Sequence, residues 1–248
     1  MRAFFTLWRR ELAALFLSPL AYGLMAFFLL VMGASCWMLV QTLAAGAPAA
    51  TVMGELLGSI FFWLAVLLTA PLLTMRPLAE ERRNGTLETL LTAPVRDPAI
   101  VLAKYAGALT CYLALWLPTL LYIVLLRRLP AEPAPMDPGQ LAAGYLGAAM
   151  VGADLLAIGL FVSSFCRQQL LAAMAAFGLG MALFLLGFLP YVAAGPWWQN
   201  NALYASVVAH MLDFSQGVVD TRAVAFHLIN SVLFLYLTVQ SLRARRWW

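Results

Sequence analysis

Arg76-Pro-Leu-Ala-Glu-Glu-Arg-Arg-Asn-Gly-Thr-Leu-Glu-Thr-Leu-Leu-Thr-Ala-Pro-Val-Arg-Asp-Pro-Ala-Ile-Val-Leu-Ala-Lys104 is the stretch on which the reading of the chain turns. Charged residues crowd into it: Arg76, Glu80, Glu81, Arg82, Arg83, Glu88, Arg96, Asp97 and Lys104. Long apolar runs lie on both sides, so it reads as an elaborate loop, residues 76–97, between two membrane spans. Asn84-Gly85 interrupts local structure. From Thr86 to Thr92 the spacing of Leu87, Leu90 and Leu91 predicts a short helix with one leucine face, ended by Pro94. Asp97-Pro98 reads as the start of the next helix, Asp97 as N-cap and Pro98 at N1. A charged collar around a leucine-faced helix suits docking into a groove on a partner. It equally suits a helix lying flat on lipid headgroups.

Outward from this loop the composition decides the class. Of 248 residues, 64% are hydrophobic and 10% charged, too few charges to cover a soluble surface. The chain reads as an all-α polytopic membrane protein, a single domain over residues 1–248. Its net charge of +4 is scattered over the ends of apolar runs rather than gathered on a basic face, which argues against nucleic acid. The three cysteines, Cys36, Cys111 and Cys166, fall in or at the ends of apolar runs, which argues against a disulfide framework or a zinc site.

Six apolar runs are long enough to cross about 30 Å of hydrocarbon: about 20–44, 56–75, 98–126, 139–165, 169–189 and 223–241. The first is too long for a signal-peptide core, so it reads as an uncleaved span. Residues 2–17 are amphipathic, with Phe4, Phe5, Trp8, Leu12, Leu15 and Phe16 opposed by Arg2, Arg9 and Arg10. That predicts an interfacial helix on the cytoplasmic surface. Ser18-Pro19, Asp97-Pro98 and Asp137-Pro138 each offer the same helix-start device. With the N-terminus inside, twelve basic residues fall on inner segments and only Arg127, Arg128 and Arg222 on outer ones. That asymmetry places both termini in the cytoplasm. Residues 190–222 form the largest external segment, with Trp197-Trp198 suited to the headgroup belt and a short helix expected over 203–212. Gly144, Ala148 and Gly152 make a small-residue row in the fourth span, read as close packing within the chain ahead of a subunit interface.

Four stretches, in order along the chain, resemble the type-2 ABC-transporter permeases, in particular the six-span branch that includes the gliding-motility-type and nitrous-oxide-reductase-maturation-type permeases. They are Arg10-Glu11-Leu12 with Ser18-Pro19-Leu20-Ala21-Tyr22, and Glu80 to Glu88 with Leu90 to Val95. The others are Gly144-Tyr145-Leu146-Gly147 through Gly159 to Ser163-Ser164, and His210 with Gly217 to Arg222. The resemblance implies a permease subunit, an exporter, in a bacterial inner membrane. It implies two copies of a separate ABC ATPase carrying ATP and Mg, a second permease copy, identical or paralogous, and surrounding lipid. The loop would be the coupling element: Glu80, Glu81, Arg82, Arg83, Gly85, Thr86 and Glu88 giving polar contacts and turn geometry, Leu87, Leu90, Leu91 and Pro94 filling the groove. A salt bridge from Glu11 to this region is expected.

Chemistry on the chain itself is sparse. A P-loop needs Gly-x-x-x-x-Gly-Lys-Ser/Thr to cradle phosphates; the one lysine, Lys104, stands in Leu-Ala-Lys-Tyr. No catalytic, cofactor or metal residue is expected on this chain. His210 and Asp213 alone are too few for a metal. Asp154 lies deep in the fourth span, where an ionisable group is costly. His227 and Asn230, at i and i+3 of the sixth span, are its natural partners. Two rivals remain: ATP-driven mechanical transmission to an external partner protein through 190–222, and a secondary transporter moving protons on Asp154 and His227.

Overall fold

The computed structural model describes residues 2–44, 52–86, 95–128, 137–189 and 203–245. Among them all regular structure is helical, and six helices are long and apolar enough to cross a membrane. Leu87, Glu88, Leu90, Leu91 and Pro94, with Pro190, Pro196 and Trp197-Trp198, lie outside the described residues.

The chain opens with α1 (Arg2–Phe16) and α2 (Pro19–Ala44), joined by a tight Leu17-Ser18 corner. Proline cannot donate to the previous turn, and Ser18 Oγ accepts from Leu20 N at 3.3 Å, so a new helix starts here. The second span is preceded by a short helix, α3 (Val52–Leu57). Ser59 caps α4 (Ile60–Thr74), its Oγ accepting from Phe62 N at 3.3 Å and lying 3.1 Å from Ser35 Oγ on α2. Next come α5 (Ala79–Arg83) and α6 (Asp97–Trp116). The N-cap of α6 is Arg96, so Asp97 sits inside the first turn rather than at the cap. Its carboxylate lies 3.7 Å from Arg243 Nε. The third apolar run is interrupted at Leu117-Pro118-Thr119 before α7 (Leu120–Arg128), because Pro118 has no N–H and crowds the preceding turn.

The remaining helices are α8 (Pro138–Phe165), α9 (Gln169–Leu186), α10 (Val207–Ser215) and α11 (Thr221–Arg245). Asp137 caps α8 by accepting from Gly139 N at 3.0 Å. The external helix begins four residues later than its expected start at 203, because Ser206 caps it, accepting from Ala209 N at 3.0 Å and donating to Gly187 O at 2.7 Å. It ends at Gly217, whose φ of +88° suits glycine.

Helix α8 is the axis. It packs against α3, α4, α6, α9, α10 and α11, and its most apolar window is 72% buried, against 28% for α9 and α11. Its small residues make this possible: side chains added at Gly144, Gly147, Gly152 and Gly159 would run into Leu57, Phe214, Tyr112 and Thr74 of this same chain. The glycine row therefore serves packing within the bundle. Aromatic rings fill the space beside it, with Phe28 and Trp116 at 5.1 Å and Trp63 and Phe184 at 4.9 Å. The outer faces carry large exposed apolar residues, among them Leu30, Trp37, Leu170, Met174, Ile229 and Val232, a surface that suits hydrocarbon and not water.

Candidate functional site

The start of the charged loop is held against the bundle by a compact set of ion pairs. Glu81 Oε1 accepts from Lys104 Nζ at 2.7 Å and from Arg10 Nη2 at 3.0 Å. Glu11 Oε1 accepts from the same two cations, at 3.0 and 3.2 Å. Two acids and two bases thus alternate, and the cluster is neutral. It joins three segments far apart in sequence: α1, α5 and α6. Lys104 lies at its centre with a side chain only 3% exposed, while Arg10 is 55% exposed at the rim. An ammonium so deep needs carboxylates in place of the water it has lost, and Glu11 and Glu81 supply them.

The fold builds this arrangement locally. Helix α1 crosses α6 closely at Gly107, where an added Cβ would stand 3.0 Å from Glu11 Cβ. Trp8 Nε1 donates to Thr110 Oγ1 at 3.4 Å one turn further along α6. The loop is pinned on its other side as well. Ser163 Oγ accepts from Ala79 N at 3.1 Å, and Arg82 Nη1 donates to Ser164 O at 3.0 Å. Ser241 Oγ of α11 reaches Ser164 Oγ at 2.7 Å. Arg76 Nη1 donates to Ser18 Oγ at 2.8 Å, at the corner between α1 and α2. The ends of α1, α6, α8 and α11 are therefore all fastened, directly or through one serine, to residues 76–82.

Beside the cluster opens a cleft of about 650 Å³, walled by Glu11, Arg76, Glu80, Glu81, Asn84 and Lys104. Glu80 is half-buried and Arg83, Gly85 and Thr86 are exposed. Gly85 turns the chain with φ +72°, a left-handed conformation that favours glycine, and Thr86 Oγ1 donates back to Glu81 O at 3.3 Å. The structure so brings Glu80, Glu81, Arg82, Arg83, Gly85 and Thr86 to one edge of the bundle.

The intramembrane residues come together elsewhere. Asp154 Oδ2 lies 3.0 Å from His227 Nδ1, and Asp154 Oδ1 accepts from Asn230 Nδ2 at 2.7 Å and from Ser231 Oγ at 3.4 Å. His210, expected in an external loop, is buried on α10 with its ring centroid 5.5 Å from that of His227. Burial holds its imidazole down to about 4, with the neighbouring His227 acting the same way and Asp220 opposing. Asp213 is pushed up by burial and by Asp220.

Sequence reasoning did not single out Lys104 or Arg10 for the inner cluster, nor Ser231 for the inner carboxylate. One signal was present: the sole lysine of the chain stands seven residues into an otherwise apolar helix, where an unpaired ammonium would be prohibitive. With this geometry in place, the model of the family described as "ABC-2 family transporter protein" matches residues 37–219. No curated protein matches the chain.

Proposed function

Because the chain belongs to the ABC-2 family of transporter proteins, we propose that it is an exporter permease worked from its 76–97 loop by an ATPase docked on the cytoplasmic side. The coarser part of this follows from membership: the chain is a multi-pass membrane subunit of an ABC transporter whose partner is an ABC ATPase subunit. The further reading concerns how force enters. Glu80, Glu81, Arg82 and Arg83 present the rigid base of the loop, and Leu87, Leu90, Leu91 and Pro94 carry the helix that fills a groove on the ATPase. ATP and Mg are bound there, not on this chain. Two ATPases and two permease copies, identical or paralogous, make the complex. Both termini lie in the cytoplasm of a bacterial inner membrane, with α1 along its surface and residues 190–222 outside.

One observation carries this reading: Lys104 and Arg10 join Glu81 of the loop to Glu11 of α1 in a cluster of alternating charge. A rigid joint of this kind would pass a displacement of the loop to α1 and α6 together, and through Ser163 and Ser164 to α8. The test is purification from the native membrane in mild detergent, with bound proteins identified by mass. The expected result is a stoichiometric P-loop ATPase, lost when Leu90→Asp and Leu91→Asp are combined. Purification of the properly inserted chain without any ATPase would overturn the reading.

A further inference from the structure

The chain contains two histidines, and the fold brings them together. His210 comes from α10 and His227 from α11, yet their rings stand 5.5 Å apart, nearly perpendicular at 78°. They are 7% and 1% exposed. Their bonding is incomplete in a specific way. An ionised Asp154 only accepts, so the proton of a neutral His227 sits on Nδ1, facing Asp154 Oδ2, and Nε2 is a bare lone pair. Nδ1 of His210 is likewise left without a hydrogen-bond partner among the described residues. Two buried ring nitrogens, His210 Nδ1 and His227 Nε2, on rings 5.5 Å apart, thus lack a partner among the described residues, and an added proton gives the pair a donor.

We propose that Asp154, His227 and His210 form a proton-binding site inside the bundle, loaded from the end of the molecule that carries α10. A proton taken from water binds His210 Nδ1 and passes to His227 Nε2 through a bridging water. One N–H bond breaks as the other forms, no electrons are transferred, and the site gains a single positive charge. Asp154 Oδ2 neutralises that charge, while Asn230 and Ser231 hold Oδ1 in place.

The other ionisable groups around the site agree with His227 as the resting place. From α6, Tyr105 is committed to the carbonyl of Ala153 at 3.1 Å. Asp220 favours the charged form of His210, while burial of the ring opposes it more strongly. Arg222 is engaged with Tyr204 at 3.3 Å. Chain alternation through six spans puts this entrance on the face opposite the charged loop. The site so gives the subunit a chemical input separate from the ATPase, and it does not depend on the transport assignment.

Because the chain has only these two imidazoles, ¹⁵N-histidine NMR of the full chain in lipid nanodiscs reads the site alone. The expected spectrum shows one proton taken up by the pair on acidification, with the signals of both rings changing together. In Asp154→Asn, and separately in His210→Gln, the midpoint of His227 moves by about one pH unit or more. His210→Gln leaves the Asp154–His227 pair in place and carries the test if Asp154→Asn fails to insert. Two histidines that titrate independently, an unchanged His227 midpoint in His210→Gln, or no protonation of either ring while the protein stays folded would each overturn the proposal.

Discussion

The molecule holds two buried polar clusters, and they are built on opposite rules. At the loop end, Arg10, Glu11, Glu81 and Lys104 alternate in sign and cancel. Inside the bundle, Asp154 is a single carboxylate ringed by an amide, a hydroxyl and a histidine, with a second histidine behind. The first cluster needs nothing added to be neutral; the second changes charge with one proton. A fixed set of charges suits a mechanical joint, since its geometry does not depend on conditions. A set whose charge is open suits a sensor or a carrier.

The sharpest way to break this contrast is Lys104→Met. Removing the central cation leaves two carboxylates facing each other at the loop base, so the inserted protein should lose about 3–5 kcal/mol, read as a lower unfolding midpoint in detergent. A loss under about 1 kcal/mol, in the range of surface pairs, would show that the cluster is solvated and no joint. Acid should act on the other cluster. The folded state holds His210 well below the usual histidine range, at about 4. The neutral form is therefore favoured by folding, and the associated stability is present above about pH 6.5 and lost as pH falls toward 4. The docking of α10 should weaken by at most about 1.4 kcal/mol for each pH unit in that window, followed by hydrogen exchange at Val208 to Met211. His210→Gln should flatten that dependence. The smallest effect belongs to Arg10→Ala. Arg10 is 55% exposed, and its loss should cost about 0–1 kcal/mol and fade further in salt. A larger cost would place Arg10, and not Lys104, at the centre of the joint.

The fold was largely legible because apolar length is a local property. Six runs marked six long helices, and the prolines at 19 and 138 marked true starts. Where the reading slipped, a residue distant in sequence stands close. Asp97 looks like an N-cap in sequence, yet in the fold it is the first residue of α6 and lies 3.7 Å from Arg243, from the far end of the chain. The external helix slides to Val207 because Ser206 finds Gly187 O. The partners of Asp154 could be anticipated, since His227 and Asn230 share one helix face. The loop cluster could not, because its members come from α1, α5 and α6 and no spacing in sequence encodes their meeting. Glu11 and the lone lysine, Lys104, hinted at it.

The central claim is that the loop from 76 to 97 is where an ATPase engages this chain. Site-specific photo-crosslinking in the native membrane tests it most directly, with the probe placed in turn at Arg83, at Leu90 and, as the opposite-face control, at Val219. The account predicts an adduct with a P-loop ATPase from the first two positions and none from the third. An inserted protein that gives no ATPase adduct from Arg83 or Leu90, or gives one from Val219, would contradict it.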